Sequence, residues 1–196
     1  MNFLNFTIPT IIQIYIIILI LRFWMQSINL TIYNPFTEFI IKITDTFLSK
    51  IQKILPVNDQ KIITFIIAYI LTLFNLLFSI WYAKYINLIT FNILFIGIIE
   101  LLYYFGRIVF WFMLIRSILN FINYQYHYNS INNTLFYLTE FFLVPIRKFL
   151  PLIGGIDFSI AILLLLLVAL NHLRIDILLF IDPNLTKIIY SIQYLI

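Results

Sequence analysis

Long apolar runs dominate this sequence and predict membrane-spanning helices. A helix needs about 20 consecutive, mostly apolar residues to cross the hydrocarbon core of a bilayer. Four segments meet this requirement, namely residues 4–26, 62–83, 93–115 and 158–180. The pattern therefore predicts an all-α integral membrane protein with four transmembrane helices.

A segment of different character connects the first two predicted spans. Within residues 35–55, apolar and polar residues fall on separate faces of a helix. The apolar positions, spaced three and four residues apart, are Phe36, Ile40, Ile43, Phe47, Ile51 and Ile54. The polar positions are Glu38, Lys42, Asp45, Ser49 and Lys53. This pattern predicts an amphipathic helix in the membrane interface, with Asn34 as its N-cap and Pro35 as its first residue.

The connection between the third and fourth spans, residues 131–150, repeats this pattern. Its six apolar positions lie 95 residues after those of the first connection, and so does Thr139-Glu140 after Thr44-Asp45. Pro56 and Pro151, at the ends of the two helices, are separated by the same shift, whereas Arg22 and Arg116 lie 94 residues apart. The sequence therefore predicts two tandem repeats, residues 1–92 and 93–196, each consisting of a span, an amphipathic helix and a span. Because each repeat crosses the membrane twice, the two copies are expected to run parallel.

Composition supports a lipid environment for the chain. Hydrophobic residues make up 63% of the 196 positions and charged residues 10%, whereas soluble domains average about 25% charged residues. Cysteine is absent, which excludes disulfides, thiolate metal ligands and a cysteine nucleophile. A formal net charge of +4 is too small to indicate nucleic-acid binding.

The distribution of basic residues predicts an orientation. The side of the membrane that carries the amphipathic segments holds Arg22, Lys42, Lys50, Lys53, Lys61, Arg116, Arg147 and Lys148. The opposite side holds Lys84, Arg174 and Lys187. Because Lys and Arg accumulate in cytoplasmic loops, the amphipathic helices are expected on the cytoplasmic face.

Several short motifs stand out along the chain. In the first half they are the segments 22–26 (Arg-Phe-Trp-Met-Gln), 33–36 (Tyr-Asn-Pro-Phe) and Leu55-Pro56. In the second half they are Thr139-Glu140, 145–151 (Pro-Ile-Arg-Lys-Phe-Leu-Pro) and 154–158 (Gly-Gly-Ile-Asp-Phe). Together these motifs resemble those of the bacterial YggT family, which is related to YlmG-type proteins. The resemblance implies a small multi-pass protein of the bacterial plasma (inner) membrane, without catalytic residues or a cofactor. It also implies roles suggested for relatives, namely osmotic stress tolerance, membrane organisation or cell division, and assembly of a cytochrome complex.

Basic residues on the amphipathic segments are the strongest candidates for binding. They are Lys50, Lys53, Arg147 and Lys148. One interpretation is that they bind anionic lipid headgroups or an acidic partner, since each Lys or Arg near an anionic leaflet contributes about 1 kcal/mol. The other is that they only set the topology.

Other motif residues are interpreted structurally. Proline removes a helix hydrogen bond, so Pro145 is expected to interrupt the second amphipathic helix. Gly154-Gly155 suits a turn, and Asp157 suits the N-terminal end of the fourth span. His127 and His172 have no neighbouring ligands in the sequence, so no metal site is predicted.

Glu100 and Arg107 lie inside the third predicted span. They share a helix face seven residues apart, about 10.5 Å along the axis, which is too far for a tight pair. Ionisable groups at membrane depth are candidates for function, although a long side chain can also extend to the interface.

Two hypotheses of function remain open. The first is a non-enzymatic membrane scaffold, assembly or stress-tolerance factor that acts through its basic amphipathic helices. Its partners would be the lipid bilayer with its anionic headgroups, and other membrane proteins or a second copy. The alternative is a small solute or ion conductor that uses Glu100, Arg107, Asn75 and Asn171. An enzyme is not predicted, because no nucleophile, base and metal form a plausible cluster.

Overall fold

The computed structural model describes residues 3–29, 35–53, 59–82, 91–122, 130–149 and 158–187. The regular structure in these ranges is helical, as the sequence predicts. The helices are α1 (Phe3–Ser27), α2 (Pro35–Gln52), α3 (Gln60–Tyr82), α4 (Ile93–Ile122), α5 (Ser130–Phe149) and α6 (Ser159–Ile181).

Four of these helices, α1, α3, α4 and α6, are long and apolar enough to cross a membrane. They correspond to the four predicted spans. The α4 helix continues seven residues beyond its predicted end at Ile115, because Arg116 is buried against α5 and does not terminate the helix. The α6 helix matches its predicted span closely. Arg174, which the sequence analysis counted among the charges on the side opposite the amphipathic segments, lies inside this helix and is buried.

The spans pack around a shared aromatic core. The α1 helix contacts α3 and α4, and α4 contacts α3 and α6. Trp24 of α1 is 4% exposed and its ring packs against Phe105 and Phe112 of α4 and Phe142 of α5, at centroid distances of 5.3, 5.9 and 5.7 Å. Residues from both halves of the chain therefore form one core.

The amphipathic helices pack on these spans and on each other. The α2 helix contacts α1 and α3, α5 contacts α4 and α6, and α2 also contacts α5. The buried face of α2 consists of Thr37, Ile40, Thr44 and Leu48, so it is rotated from the predicted apolar face. Ile43 and Phe47 are 37% and 43% exposed, because the hydrogen-bonding threonine at 44 faces α1 instead.

The predicted ends and turns are described only in part. Pro35 is the first residue of α2, as predicted, whereas α5 continues through Pro145 to Phe149 and is not interrupted there. Residues Asn34, Pro56, Pro151, Gly154, Gly155 and Asp157 lie outside the described ranges. Their predicted roles as cap, helix ends and turn stay predictions.

Candidate functional site

A buried arginine attaches α2 to the first span. Arg22 of α1 is 3% exposed, and its Nη1 donates to Thr44 Oγ1 at 2.6 Å and to the Ile41 carbonyl at 3.3 Å. The same nitrogen lies 2.6 Å from Asp45 Oδ1. The Thr44 hydroxyl in turn donates to the Ile40 carbonyl at 2.6 Å, so its oxygen faces Arg22 as an acceptor.

An arginine in the second half makes corresponding contacts. Arg116 of α4 is 6% exposed, donates to the Thr139 hydroxyl and lies 2.8 Å from Glu140 Oε2. Its guanidinium is 4.8 Å from the centre of the Phe136 ring. The two arginines lie 94 residues apart in the sequence, and the Thr-Asp and Thr-Glu pairs lie 95 residues apart. We call each set, arginine, threonine and acid, a clamp.

Disrupting a clamp is expected to be costly because it leaves a buried guanidinium without a partner. Removing one partner of a buried ion pair costs about 3–5 kcal/mol, whereas an exposed pair contributes about 0–1 kcal/mol. Asp45 is 52% exposed and Glu140 is 23% exposed. The first clamp therefore depends more on the threonine hydroxyl, and the second more on its carboxylate.

Among the residues that the structure describes, the basic ones on the amphipathic helices are of two kinds, those in ion pairs and those exposed without one. Arg147 forms an ion pair with Glu140 across two turns of α5, so Glu140 is shared by two arginines. Lys50, Lys53 and Lys148 are exposed. Three of the four predicted binding residues are thus exposed cations, and the fourth is engaged within its own helix.

A second buried polar group lies among α3, α4 and α6. Glu100 is fully buried and accepts a hydrogen bond from Arg174 Nη2. The Arg174 Nη1 donates to Asn171 Oδ1 at 3.3 Å, and the guanidinium lies 3.8 Å from the centre of the Tyr103 ring. Nearby, the side chains of Asn75 and Tyr104 are hydrogen-bonded. We call these six residues the distal polar cluster.

The depth of the distal polar cluster follows from helix geometry. Asn75, Glu100 and Arg174 each lie seven residues from the end of their helix that points away from α2 and α5, at Tyr82, Ile93 and Ile181. Seven residues correspond to about 10.5 Å of helix. The cluster is therefore within the apolar part of the spans, on the side opposite the clamps.

Arg107 does not belong to this cluster. It is exposed on α4 and, within the ranges that the structure covers, forms no ion pair. The structure brings together Glu100, Asn75 and Asn171 of the predicted conduction residues and separates Arg107 from them. Sequence reasoning missed Arg174 as the partner of Glu100; the available signal was that a carboxylate within a span requires a cation from a neighbouring span.

The described residues contain no group of three or more His, Cys, Asp and Glu side chains placed to hold a metal ion. His172 is exposed on α6, where its Nδ1 lies 2.9 Å from the Val168 carbonyl of the same helix.

Comparison with known proteins gives consistent matches. Residues 95–178 match the CCB3/YggT family model. The "uncharacterized protein in proC 3′ region" of Vibrio alginolyticus is 34% identical over 179 residues, 90% of this chain and 96% of that protein. The "uncharacterized protein YggT" of Escherichia coli strain K12 is 32% identical over 172 residues, 87% of this chain and 88% of that protein. An uncharacterised protein of Haemophilus influenzae is also 32% identical, over 87% of this chain and 91% of its own. No solved structure matches the chain.

Proposed function

Because this chain belongs to the YggT family of membrane proteins, we propose that it is a non-enzymatic membrane scaffold or assembly factor, with a role in stress tolerance. Its working surface is the exposed side of α2 and α5. The names of the three relatives point to no enzyme family.

The two clamps carry this proposal. In each half, a buried arginine joins an amphipathic helix to a span, and Lys50, Lys53 and Lys148 on the same helices or at their ends are exposed. A helix held in place presents its charges at fixed positions, whereas a free amphipathic segment loses conformational entropy each time it binds. Such a surface suits the recruitment of anionic lipid or of an acidic partner.

Exposed aromatic side chains on the same helices support a position at the membrane boundary. Phe39 and Phe47 of α2 are 59% and 43% exposed, and Phe141 and Phe149 of α5 are 68% and 85% exposed. Apolar side chains interleaved with lysines are typical of helices that lie in the headgroup region. Acyl chains would cover these rings while the lysines contact headgroup phosphates.

The proposed orientation places α2 and α5 on the cytoplasmic side of the inner membrane. Arg174 is buried in an ion pair and no longer counts among the charges opposite the amphipathic helices. Arg22 and Arg116 are likewise buried in ion pairs, so five Lys and one Arg remain on the side of α2 and α5 and two Lys on the opposite side. This bias supports the proposed orientation by the positive-inside rule.

Lipid analysis of the purified full-length chain tests the proposal. The unaltered chain and the triple variant Lys50→Gln/Lys53→Gln/Lys148→Gln would each be extracted in native-lipid nanodiscs. Arg147 is retained in the variant because it pairs with Glu140. We expect less co-purified anionic phospholipid and weaker in-membrane crosslinking from α2 and α5. Lys187→Gln, an exposed lysine beyond α6, is the matched control. If the triple variant retains the lipids and partners of the unaltered chain, the proposal fails.

A second candidate function is conduction of a small solute or ion. The observation that favours it is the distal polar cluster, in which the buried Asn75 Oδ1 has no hydrogen-bond partner within the described ranges. Flux through proteoliposomes is the test, with Glu100→Gln and Asn75→Leu as cluster variants and Arg107→Gln as the control outside the cluster. Flux lost in the cluster variants alone would support conduction, and flux equal in all of them would remove the cluster from any pathway.

A further inference from the structure

The α6 helix is the least enclosed of the four spans. Within an apolar 18-residue stretch of α6, only 17% of the residues are buried, against 39–44% in the corresponding stretches of the other three. Its uncovered surface has two sides. One side carries only large apolar residues, namely Leu166, Leu170, Leu173, Ile177 and Phe180. The other carries Ala161, Leu165, Ala169, His172, Asp176 and Leu179, all exposed, and we call it the His172 face.

Two polar side chains distinguish the His172 face from a surface made for lipid. His172 and Asp176 lie nine and five residues before the end of α6 at Ile181, about 13.5 and 7.5 Å along the helix. Asp176 makes no ion pair with any residue that the structure describes. Polar groups at this depth require hydrogen-bond partners because hydrocarbon supplies none.

The hydrogen bonding of His172 leaves one ring nitrogen for an outside group. Its Nδ1 lies 2.9 Å from the Val168 carbonyl, and since a carbonyl can only accept, Nδ1 carries a proton and donates. The other nitrogen, Nε2, makes no hydrogen bond within the described ranges. A carboxyl group can supply the missing hydrogen bond to Nε2 by sharing one proton with it. Whether the proton resides on the carboxyl oxygen or on Nε2, the pair as a whole has no net charge.

We propose that the His172 face is the interface of a homodimer, in which Asp176 of each copy pairs with His172 of the other. Two copies related by a two-fold axis along the membrane normal place their α6 helices parallel and at equal depth. His172 and Asp176 are one turn apart on one face, about 6 Å along the axis. At equal depth, each His172 is level with His172 of the other copy, so its side chain and that of the other copy's Asp176 must together bridge this step of about 6 Å. The two-fold axis then forms the same contact twice.

The self-complementarity of this face is the reason to choose a second copy as its occupant. The histidine and the carboxyl group needed for the contact are both supplied by the same face of the same helix. Ala161 and Ala169 allow the two backbones to approach closely, as small residues do in membrane helix pairs, while Leu165 and Leu179 fill the seam. The wholly apolar side of α6 remains in contact with lipid.

Disulfide crosslinking in native membranes tests the interface directly, because the chain has no cysteine of its own. Single cysteines would be introduced on the His172 face as Leu165→Cys or Ala169→Cys. The matched controls are Leu166→Cys and Leu170→Cys, at similar depths on the apolar side. We expect oxidation to give covalent dimers from the first pair and none from the controls. Equal crosslinking at all four sites, or crosslinking at none, would overturn the proposal.

An exchange of the two polar residues tests the pairing and does not depend on the lysine surface. His172→Asp alone brings two carboxyl groups together, and Asp176→His alone brings two imidazoles together. Two interhelical hydrogen bonds are then lost, so we expect the dimer association constant, measured by energy transfer between labelled copies in vesicles, to fall about tenfold. The double exchange His172→Asp/Asp176→His should restore it. Singles that dimerise normally, or a double variant as weak as the singles, would contradict the pairing.

Discussion

Arg22 and Thr44 are 22 positions apart in the chain, yet the Arg22 Nη1 and the Thr44 hydroxyl oxygen are 2.6 Å apart. This hydrogen bond joins a span to an amphipathic helix. The hydroxyl already donates to a carbonyl of its own helix, so its remaining lone pairs are available to the guanidinium. Threonine thus serves as a hydrogen-bond acceptor on the buried face of α2.

Replacing the clamp threonine tests how much this contact contributes. Thr44→Val keeps the shape of the side chain but leaves part of a buried guanidinium unpaired, which costs about 1–3 kcal/mol. We expect thermal unfolding in detergent at a lower temperature than for the unaltered chain. Thr46→Val is the matched control, because Thr46 is exposed and bonds only to the Lys42 carbonyl of its own helix. Equal effects of the two changes would show that the clamp is not stabilising.

The two clamps should respond differently to loss of their acid. Glu140→Gln weakens contacts to both Arg116 and Arg147, and we expect it to destabilise the chain by about 1–3 kcal/mol. Asp45 is 52% exposed, so we expect Asp45→Asn to cost less than about 1 kcal/mol. The same unfolding measurement ranks the two variants. A larger effect of Asp45→Asn would contradict the proposal that the second clamp depends more on its carboxylate than the first.

The ion pair of the distal polar cluster should show strong coupling. Glu100→Leu or Arg174→Leu alone leaves a buried charge without its partner, at a cost of about 3–5 kcal/mol. The double change Glu100→Leu/Arg174→Leu removes both charges and should be less destabilising than either single change. Unfolding of the four proteins forms a double-mutant cycle, and additive effects would rule out a direct interaction. Arg107→Gln, which is outside the cluster, should change stability little.

Trp24 should be the most sensitive of the tryptophans. Trp24→Ala removes ring contacts with α4 and α5 and should cost about 3–5 kcal/mol. Trp111→Ala, at a position that is 55% exposed, is the control and should cost much less in detergent. Similar unfolding temperatures for the two variants would mean that the aromatic core is not packed as the structure describes.

Hydropathy and helical periodicity predicted the four apolar spans and the two amphipathic segments, because both properties are local. The repeated Thr-Asp and Thr-Glu pairs and the two arginines were visible as a pattern, but their contact was not. Periodicity measures where apolar residues fall, so it placed Ile43 and Phe47 on the buried face. The hydrogen bond between Arg22 and Thr44 instead determines which face of α2 meets α1.

The partner of Glu100 was out of reach for a different reason. Glu100 and Arg174 are 74 positions apart and meet only because α4 and α6 run side by side with matching depths. Sequence alone gives the depth of each residue within its helix, but not which helices are neighbours. Arg107, seven residues from Glu100 on the same helix, was therefore the nearest cation to consider.

The position of Trp24 has a consequence for how the chain is made. Its neighbour Phe142 lies 118 positions further along the sequence. The helices α1, α3 and α4 are therefore synthesised before this ring contact can form. Until α5 is synthesised, the indole is only partly covered by protein, and lipid acyl chains must shield the rest of it. The first hairpin of the protein therefore reaches its final packing late in biogenesis, when the second half closes over it.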